Sequence, residues 1–174
     1  MQEYLVRLLD EFAAKPTVEE VLRRAGGRSG GRVGLVRAAE ELRVVDASVL
    51  VNALADDDTD GDRARERLLA DTDLHAPTLV DLEVISVLRR HVAAGDLDDR
   101  RARLAITDLH ALNLTRYPHL PLIERAWELR HNLTPYDASY VALAETLQCT
   151  LLTADHRLSR APGPLCPVEQ IGDS

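Results

Sequence analysis

The sequence predicts an α/β fold, a three-layer α/β/α domain with a mainly parallel sheet and a helical N-terminal appendage. Three observations carry the architecture. Short aliphatic or β-branched runs alternate with helical segments of ten or more residues, the pattern of a parallel sheet covered on both faces. At 174 residues the chain is about one domain and a small extension, at roughly 150 residues per domain. Hydrophobic residues at 45% and charged residues at 29% suit a globular chain that needs no disulfide or metal to fold. No apolar run approaches the roughly 18 to 20 residues of a membrane span, and early acids in MQEYLVRLLDEF argue against a signal peptide. A cytoplasmic protein is expected. Cys149 and Cys166 form no CxxC pair and read as small core residues.

Residues 1–43 read as helix, break, helix, linker, helix. Tyr4, Leu5, Leu8, Leu9 and Phe12 recur at helical spacing until Pro16, which lacks the amide proton a continuing helix needs. Thr17 and Glu20 form a capping box for a short helix that stops at Gly26-Gly27. The Gly-rich stretch 26–34 carries Arg28 and Arg32 and reads as an extended linker. Three short helices with so few apolar residues need another surface to pack on.

The domain expected at 44–174 begins with a β-branched run that breaks at Asp46 and continues as the apolar helix ASVLVNAL. LHAPT leads through Thr78 into a helix containing TLVDLEVISVLRRHV, closed near Gly95. LNLTRY is a strand and LPLIERAWELRHNL the helix after it. Thr134 caps PYDASYVALAETL, with Pro135 at a favoured first helical position. CTLLTAD is a further strand, and CPVEQI is an edge strand.

The net charge of -8 looks unsuited to nucleic acid, since phosphate binding needs clustered Lys and Arg. Its distribution is uneven: residues 1–43 carry 8 basic and 7 acidic side chains, and residues 44–174 carry 13 and 22. Within the acidic part, Asp46 and Asp155 each follow an apolar run and so fall at the carboxyl ends of strands, where open α/β sheets bind ligands. Asp137 lies in the first turn of a helix, near its positive end. Glu83 falls inside a helix apolar on several faces, where an unpaired buried carboxylate is expensive. Each acid alone also suits a helix cap or a solvated face. Converging at one sheet edge, they would repel by roughly 4 kcal/mol per pair about 4 Å apart at an effective dielectric near 20. A divalent cation removes that repulsion, and all-oxygen ligation suits Mg²⁺ or Mn²⁺ over zinc.

VVDASVLVNAL, LEVISVLRR, TPYDASYVALAE and LLTADHRL resemble, in order and spacing, the four acidic motifs of PIN-domain ribonucleases, most closely VapC-type toxins of bacterial toxin–antitoxin modules. The likeness covers residues 44–171. It implies that Asp46, Glu83, Asp137 and Asp155 form a metal-binding catalytic quartet, with Ser48 and Thr153 as hydroxyls that position the acids. It implies metal-activated hydrolysis of RNA phosphodiester bonds, an antitoxin partner, and a homodimer or higher even oligomer. Arg89, Arg90 and Arg157 flank two motifs and are candidate RNA contacts, with solvated surface as the plainer reading.

QEYLVRLLDEFAAKPTVEEVLRRAGG resembles, less specifically, the toxin-binding half of a VapB-type antitoxin, without the DNA-binding ribbon expected upstream. The chain then reads as a fusion of antitoxin fragment and toxin, with Arg28 or Arg32 a candidate plug for the acidic site. Nine extended residues, 26–34, reach at most about 30 Å, so occlusion within one chain is feasible but tight, and exchange between protomers is as easy. Asp56, Asp58, Asp60 and Gly61 imitate the opening of an EF-hand loop, but Arg67 stands where a bidentate Glu is required. A dehalogenase-type phosphatase needs a second Asp where Ser48 stands. The alternatives are a non-catalytic interaction module whose acids cap helices, or a metal-dependent phosphatase of another class.

Overall fold

The computed structural model describes residues 42–70 and 73–172. The readings on residues 1–41, including the antitoxin-like helices, the Gly-rich linker and Arg28 and Arg32, lie outside the described residues.

Val44 and Val45 are fully buried in strand β1 (Leu42–Val45), which ends one residue before Asp46. Helix α1 (Ala47–Ala55) follows at once and buries Val49, Leu50, Ala53 and Leu54. After the acidic turn come α2 (Thr59–Ala70), β2 (Asp73–Pro77), α3 (Val80–Ala94) and α4 (Asp99–Ala111). Then β3 (Leu114–Tyr117), a 3-10 turn (Leu120–Leu122), α5 (Ile123–Glu128) and α6 (Pro135–Leu147) lead to β4 (Thr150–Thr153), α7 (His156–Arg160) and β5 (Val168–Gln170).

The five strands pair in parallel in the order β3-β2-β1-β4-β5, so β5 is indeed an edge. From β1 the chain moves outward to β2 and β3, then returns to lay β4 on the other side of β1. Right-handed crossovers then place helices on both faces: α1 packs on α2, α3 and α4, whereas α6 packs on α5, β1, β2 and β4. The reversal of direction puts a crevice between the carboxyl ends of β1 and β4.

Several elements differ from the sequence reading. The helix expected over LPLIERAWELRHNL is broken into the 3-10 turn and α5. Beyond Glu128 the chain closes tight turns, with Arg130 N–H donating to the Trp127 carbonyl and Asn132 N–H to that of Leu129. These turns bury Leu129 and Leu133. Helix α4 had no sequence counterpart. Its buried face is only Ala102, Ala105 and Leu109 with Arg101 and Asp108, and its start is fixed by Asp98, which accepts from Arg101 N–H at 2.9 Å. Helix α3 is less enclosed than its composition implied. Val80, Val84 and Leu88 are buried, but Leu82 is 72% exposed and Ile85 is also exposed.

Two corners hold the elements around the crevice. Arg65, fully buried, donates through Nη1 to the carbonyls of Ala53 and Asp56 and through Nη2 to Asp62, locking α2 against the end of α1. Gly61 lets that corner close, because a Cβ there would lie 2.1 Å from the Asp56 oxygen. At the other corner Arg116 grips Asp81 with Nε and Nη2 at 2.8 Å each, clamping the first turn of α3 to β3. Gly61→Ala is expected to destabilise the fold by about 1–3 kcal/mol through overpacking against backbone. In urea unfolding this appears as a lower midpoint at unchanged slope.

Candidate active site

Asp46 stands where β1 gives way to α1. Its N–H donates to the Leu152 carbonyl at 2.9 Å, extending the β1–β4 pairing by one residue. The carboxylate is buried at 7% exposure, and its Oδ2 accepts from Ser48 Oγ at 2.6 Å and Thr153 Oγ1 at 2.8 Å. The same hydroxyls reach onward: Ser48 Oγ accepts from Ala154 N–H and Thr153 Oγ1 from Asp155 N–H. Two hydroxyls thus tie the ends of β1 and β4 into one unit around one carboxylate oxygen. Burial pushes the Asp46 carboxyl above its ordinary range, the two hydroxyls pull it down, and the charge of Asp137 pushes it up again.

Glu83 comes from the first turn of α3 and is half-buried. Burial raises its carboxyl to about 7, a hydrogen bond from Tyr140 opposes the rise, and the charges of Asp46 and Asp137 add to it. Asp137 is held in the first turn of α6 by its cap, where Thr134 Oγ1 accepts from Asp137 N–H and donates to Asp137 Oδ2 at 2.7 Å. Asp46, Glu83 and Asp137 therefore feel one another from three elements and both faces of the sheet.

Asp155 is placed differently. It is exposed, and its Oδ1 accepts from Arg157 N–H at 2.7 Å, capping α7. Its link to Asp46 runs through Thr153. Among the described residues, no three His, Cys, Asp or Glu side chains stand close enough to hold a metal ion in this arrangement. None of the four acids has an ion-pair partner among those residues either. The donor set is all carboxylate, which fits a hard divalent cation.

Arg89, Arg90 and Arg157 are all exposed. Arg90 shares a surface groove with a site acid, a hollow of about 430 Å³ lined also by Leu79, Leu82, Glu83 and Tyr136. That hollow runs through Leu79 and Tyr136 into an apolar groove of about 420 Å³ containing Ile123, Trp127 and Arg130. The EF-hand-like run forms no cation loop: Asp56 accepts from Asp58 N–H, and α2 begins at Thr59.

The sequence reading missed Tyr140, which is wholly buried and donates to Glu83 Oε2 at 2.5 Å. The available signal was its position three residues after Asp137, on the same side of a helix. No helix among the described residues is long and apolar enough to cross a membrane.

The PIN domain family model matches residues 43–164 of this chain. Ribonuclease VapC9 of Mycobacterium tuberculosis is 48% identical over 128 residues, covering 74% of this chain and 97% of that protein. Ribonuclease VapC1 of the same organism is 46% identical over 129 residues, covering 74% and 96%. A solved structure, Mycobacterium tuberculosis VapC20, described as a Sarcin-Ricin loop cleaving toxin, superposes with a TM-score of 0.53 at 21% identity, covering 67% of this chain and 92% of that one. At that identity the superposition speaks for the fold alone, and it agrees with the parallel sheet and its helices. The family match over most of the chain and relatives at this level of identity lead to one assignment: the chain belongs to the PIN-domain family, with VapC ribonucleases as its relatives.

Proposed function

We propose that the chain is a metal-dependent endoribonuclease, the toxin of a type II toxin–antitoxin module, restrained by its own first 43 residues. The observation that carries this reading is the electrostatic interaction of Asp46, Glu83 and Asp137 across the crevice, with no basic partner among the described residues. A bound Mg²⁺ or Mn²⁺ would neutralise that charge, polarise the scissile phosphate and activate water. Asp46, Asp137 and Asp155 are assigned as its main holders, and Glu83 as the group that orients water or shares in binding. Ser48 and Thr153 keep Asp46 aimed by occupying one of its oxygens. Arg90, in the hollow beside Glu83, is the best placed of the three candidate arginines to meet an RNA phosphate.

Restraint by residues 1–43 is supported by the apolar groove beside the site, where Ile123 and Trp127 are 51% and 68% exposed. The helical pattern of Leu5, Leu8, Leu9 and Phe12 offers a complementary apolar stripe. Arg28 and Arg32 remain the candidate contacts to the acids. The same exposed apolar surface supports association into an even homo-oligomer, and action on RNA goes with a cytoplasmic location. A second reading, an interaction module whose acids cap helices, draws on Asp155 and Asp137, both engaged in caps.

Calorimetric titration with Mn²⁺ separates the two readings. Binding is expected in the parent chain and lost in folded Asp46→Asn and Asp137→Asn; binding that survives in both sinks the nuclease site. Glu83→Gln is expected to slow RNA cleavage about 100-fold or more, as loss of a proton-handling or water-orienting group does.

Removing residues 1–41, which leaves β1 whole, is expected to raise cleavage and to shift the emission of Trp127, the only tryptophan, to the red as the groove opens. Equal rates for the two forms on one RNA overturn the restraint.

The metal-free fold carries a pH signature. Because the Glu83 carboxyl is raised from 4.5 to about 7, its contribution to stability is present below 4.5 and is lost as pH rises through about 7. Thermal unfolding without metal is expected to show a Tm falling across that window, with Mn²⁺ reversing the fall.

A further inference from the structure

The nuclease reading assigns four acids and two hydroxyls, and leaves unexplained the one buried phenol that touches them. Tyr140 has no exposed surface and sits on α6 one turn beyond Asp137. A buried tyrosine hydroxyl needs a hydrogen-bond partner, and a backbone carbonyl is the usual neutral solution. Here the partner is Glu83 Oε2, on a helix that packs on the opposite face of the sheet. Among the described residues Glu83 Oε1 accepts no hydrogen bond. One oxygen of the carboxylate is thus fixed, and the other is left for a ligand.

We propose that Tyr140 is a positioning residue: by donating to Glu83 Oε2 it fixes the rotamer of Glu83 relative to Asp137 and presents Glu83 Oε1 to the cation or water of the site. The proposal rests on the metal-dependent reading above. Two features of the geometry support it. Asp137 and Tyr140 lie three residues apart on one helix, so the bond from Tyr140 sets the Glu83–Asp137 separation through a rigid element. In addition, Glu83 is a long side chain at the start of α3, beside the exposed Leu82, and Tyr140 supplies its only hydrogen bond among the described residues. Without that bond its rotamers are free to spread. Groups that orient metal-binding side chains typically change metal affinity or activity by about 10- to 100-fold when removed.

The test is a double-mutant cycle in the full chain with Tyr140→Phe, Glu83→Ala and their combination, read by Mn²⁺ calorimetry and by RNA cleavage. Tyr140→Phe keeps the ring and removes one oxygen. It is expected to weaken Mn²⁺ binding and lower kcat, each by about 10-fold or more, with KM changed less than about twofold. In the Glu83→Ala background it is expected to add less than a further twofold, because the group it positions is gone. A purely structural tyrosine would lower Tm and act by the same factor in both backgrounds, and that result overturns the proposal. So does an unchanged Mn²⁺ affinity and kcat, or a change in KM alone.

Should Tyr140→Phe fail to fold, 3-fluorotyrosine at 140 keeps the donor. Its fluorine resonance is expected to move on addition of Mg²⁺ in the parent background and to stay fixed with Glu83→Ala. A resonance that ignores Mg²⁺ overturns the proposal. If the parent chain binds no Mn²⁺ at all, the metal-dependent reading fails and takes this inference with it. If the parent binds Mn²⁺ through Asp46 and only the tyrosine arm is silent, this inference alone fails.

Discussion

A carboxylate buried at a strand end is the constraint around which this domain is arranged. Asp46 loses almost all contact with water because β1 delivers it into the crevice between β1 and β4. Desolvating a charge is expensive unless it is hydrogen-bonded, and the two hydroxyls that bond it come from different elements, Ser48 on α1 and Thr153 on β4. The β1–β4 register must therefore hold to the residue: Val45 faces Leu152, and Asp46 N–H donates to the Leu152 carbonyl. A slip of one residue would turn Thr153 to the other face of the sheet and leave Oδ2 one donor short. Packing, pairing and charge placement thus depend on a single alignment.

The other acids are governed by their helices more than by the sheet. Asp137 and Asp155 both start helices, yet their capping differs. The Asp137 side chain is itself the object of a cap, receiving the Thr134 hydroxyl, whereas the Asp155 side chain is the cap and takes an N–H of α7. Glu83 has neither arrangement and depends on Tyr140 from another helix. Three carboxylates consequently interact electrostatically, while the fourth is turned to a local backbone bond. α7 is only five residues long, and Asp155 is exposed, so its carboxylate is the least restrained of the four.

The parallel sheet was readable because its central strands β1, β2 and β4 are largely buried, and buried strands appear in sequence as short aliphatic runs. RVV, LHAP, LTRY and TLLT all became strands, and the capping pair Thr134–Pro135 marked α6 to the residue. Helix α4 escaped notice because it buries alanines among many charges, so its periodicity carries little hydrophobic contrast. α5 was overextended because Leu129 and Leu133 keep a helical spacing of four, while the backbone there closes isolated turns, with Arg130 N–H on the Trp127 carbonyl and both Asn132 and Leu133 N–H on that of Leu129. At the site, the short-range relations were readable: Ser48 is two residues from Asp46, and Thr153 two from Asp155. Tyr140 meeting Glu83 is a contact across 57 residues and two layers, and residue spacing along one helix says nothing about what lies opposite.

The acidity of the domain also changes meaning once pairing is considered. Away from the crevice, acids have arginine partners: Asp62 with Arg65, Asp81 with Arg116, Glu145 with Arg125, Glu169 with Arg67 and Asp57 with Arg101. All but Asp62–Arg65, which lies within α2, join separate elements, and Arg125 and Arg67 hold their carboxyls below the ordinary range. Asp46 and Glu83 move in the opposite direction, upward, with burial and neighbouring carboxylates as the causes. Basic residues are therefore plentiful enough to neutralise the site and are spent on structure elsewhere. On the metal-dependent reading proposed above, an entering cation would meet carboxylates not already engaged by arginine. The net charge of -8 is in this sense a poor guide to what the domain can bind. On that reading, the local arrangement turns an apparent obstacle to phosphate binding into the feature that would draw in an ion between protein and phosphate.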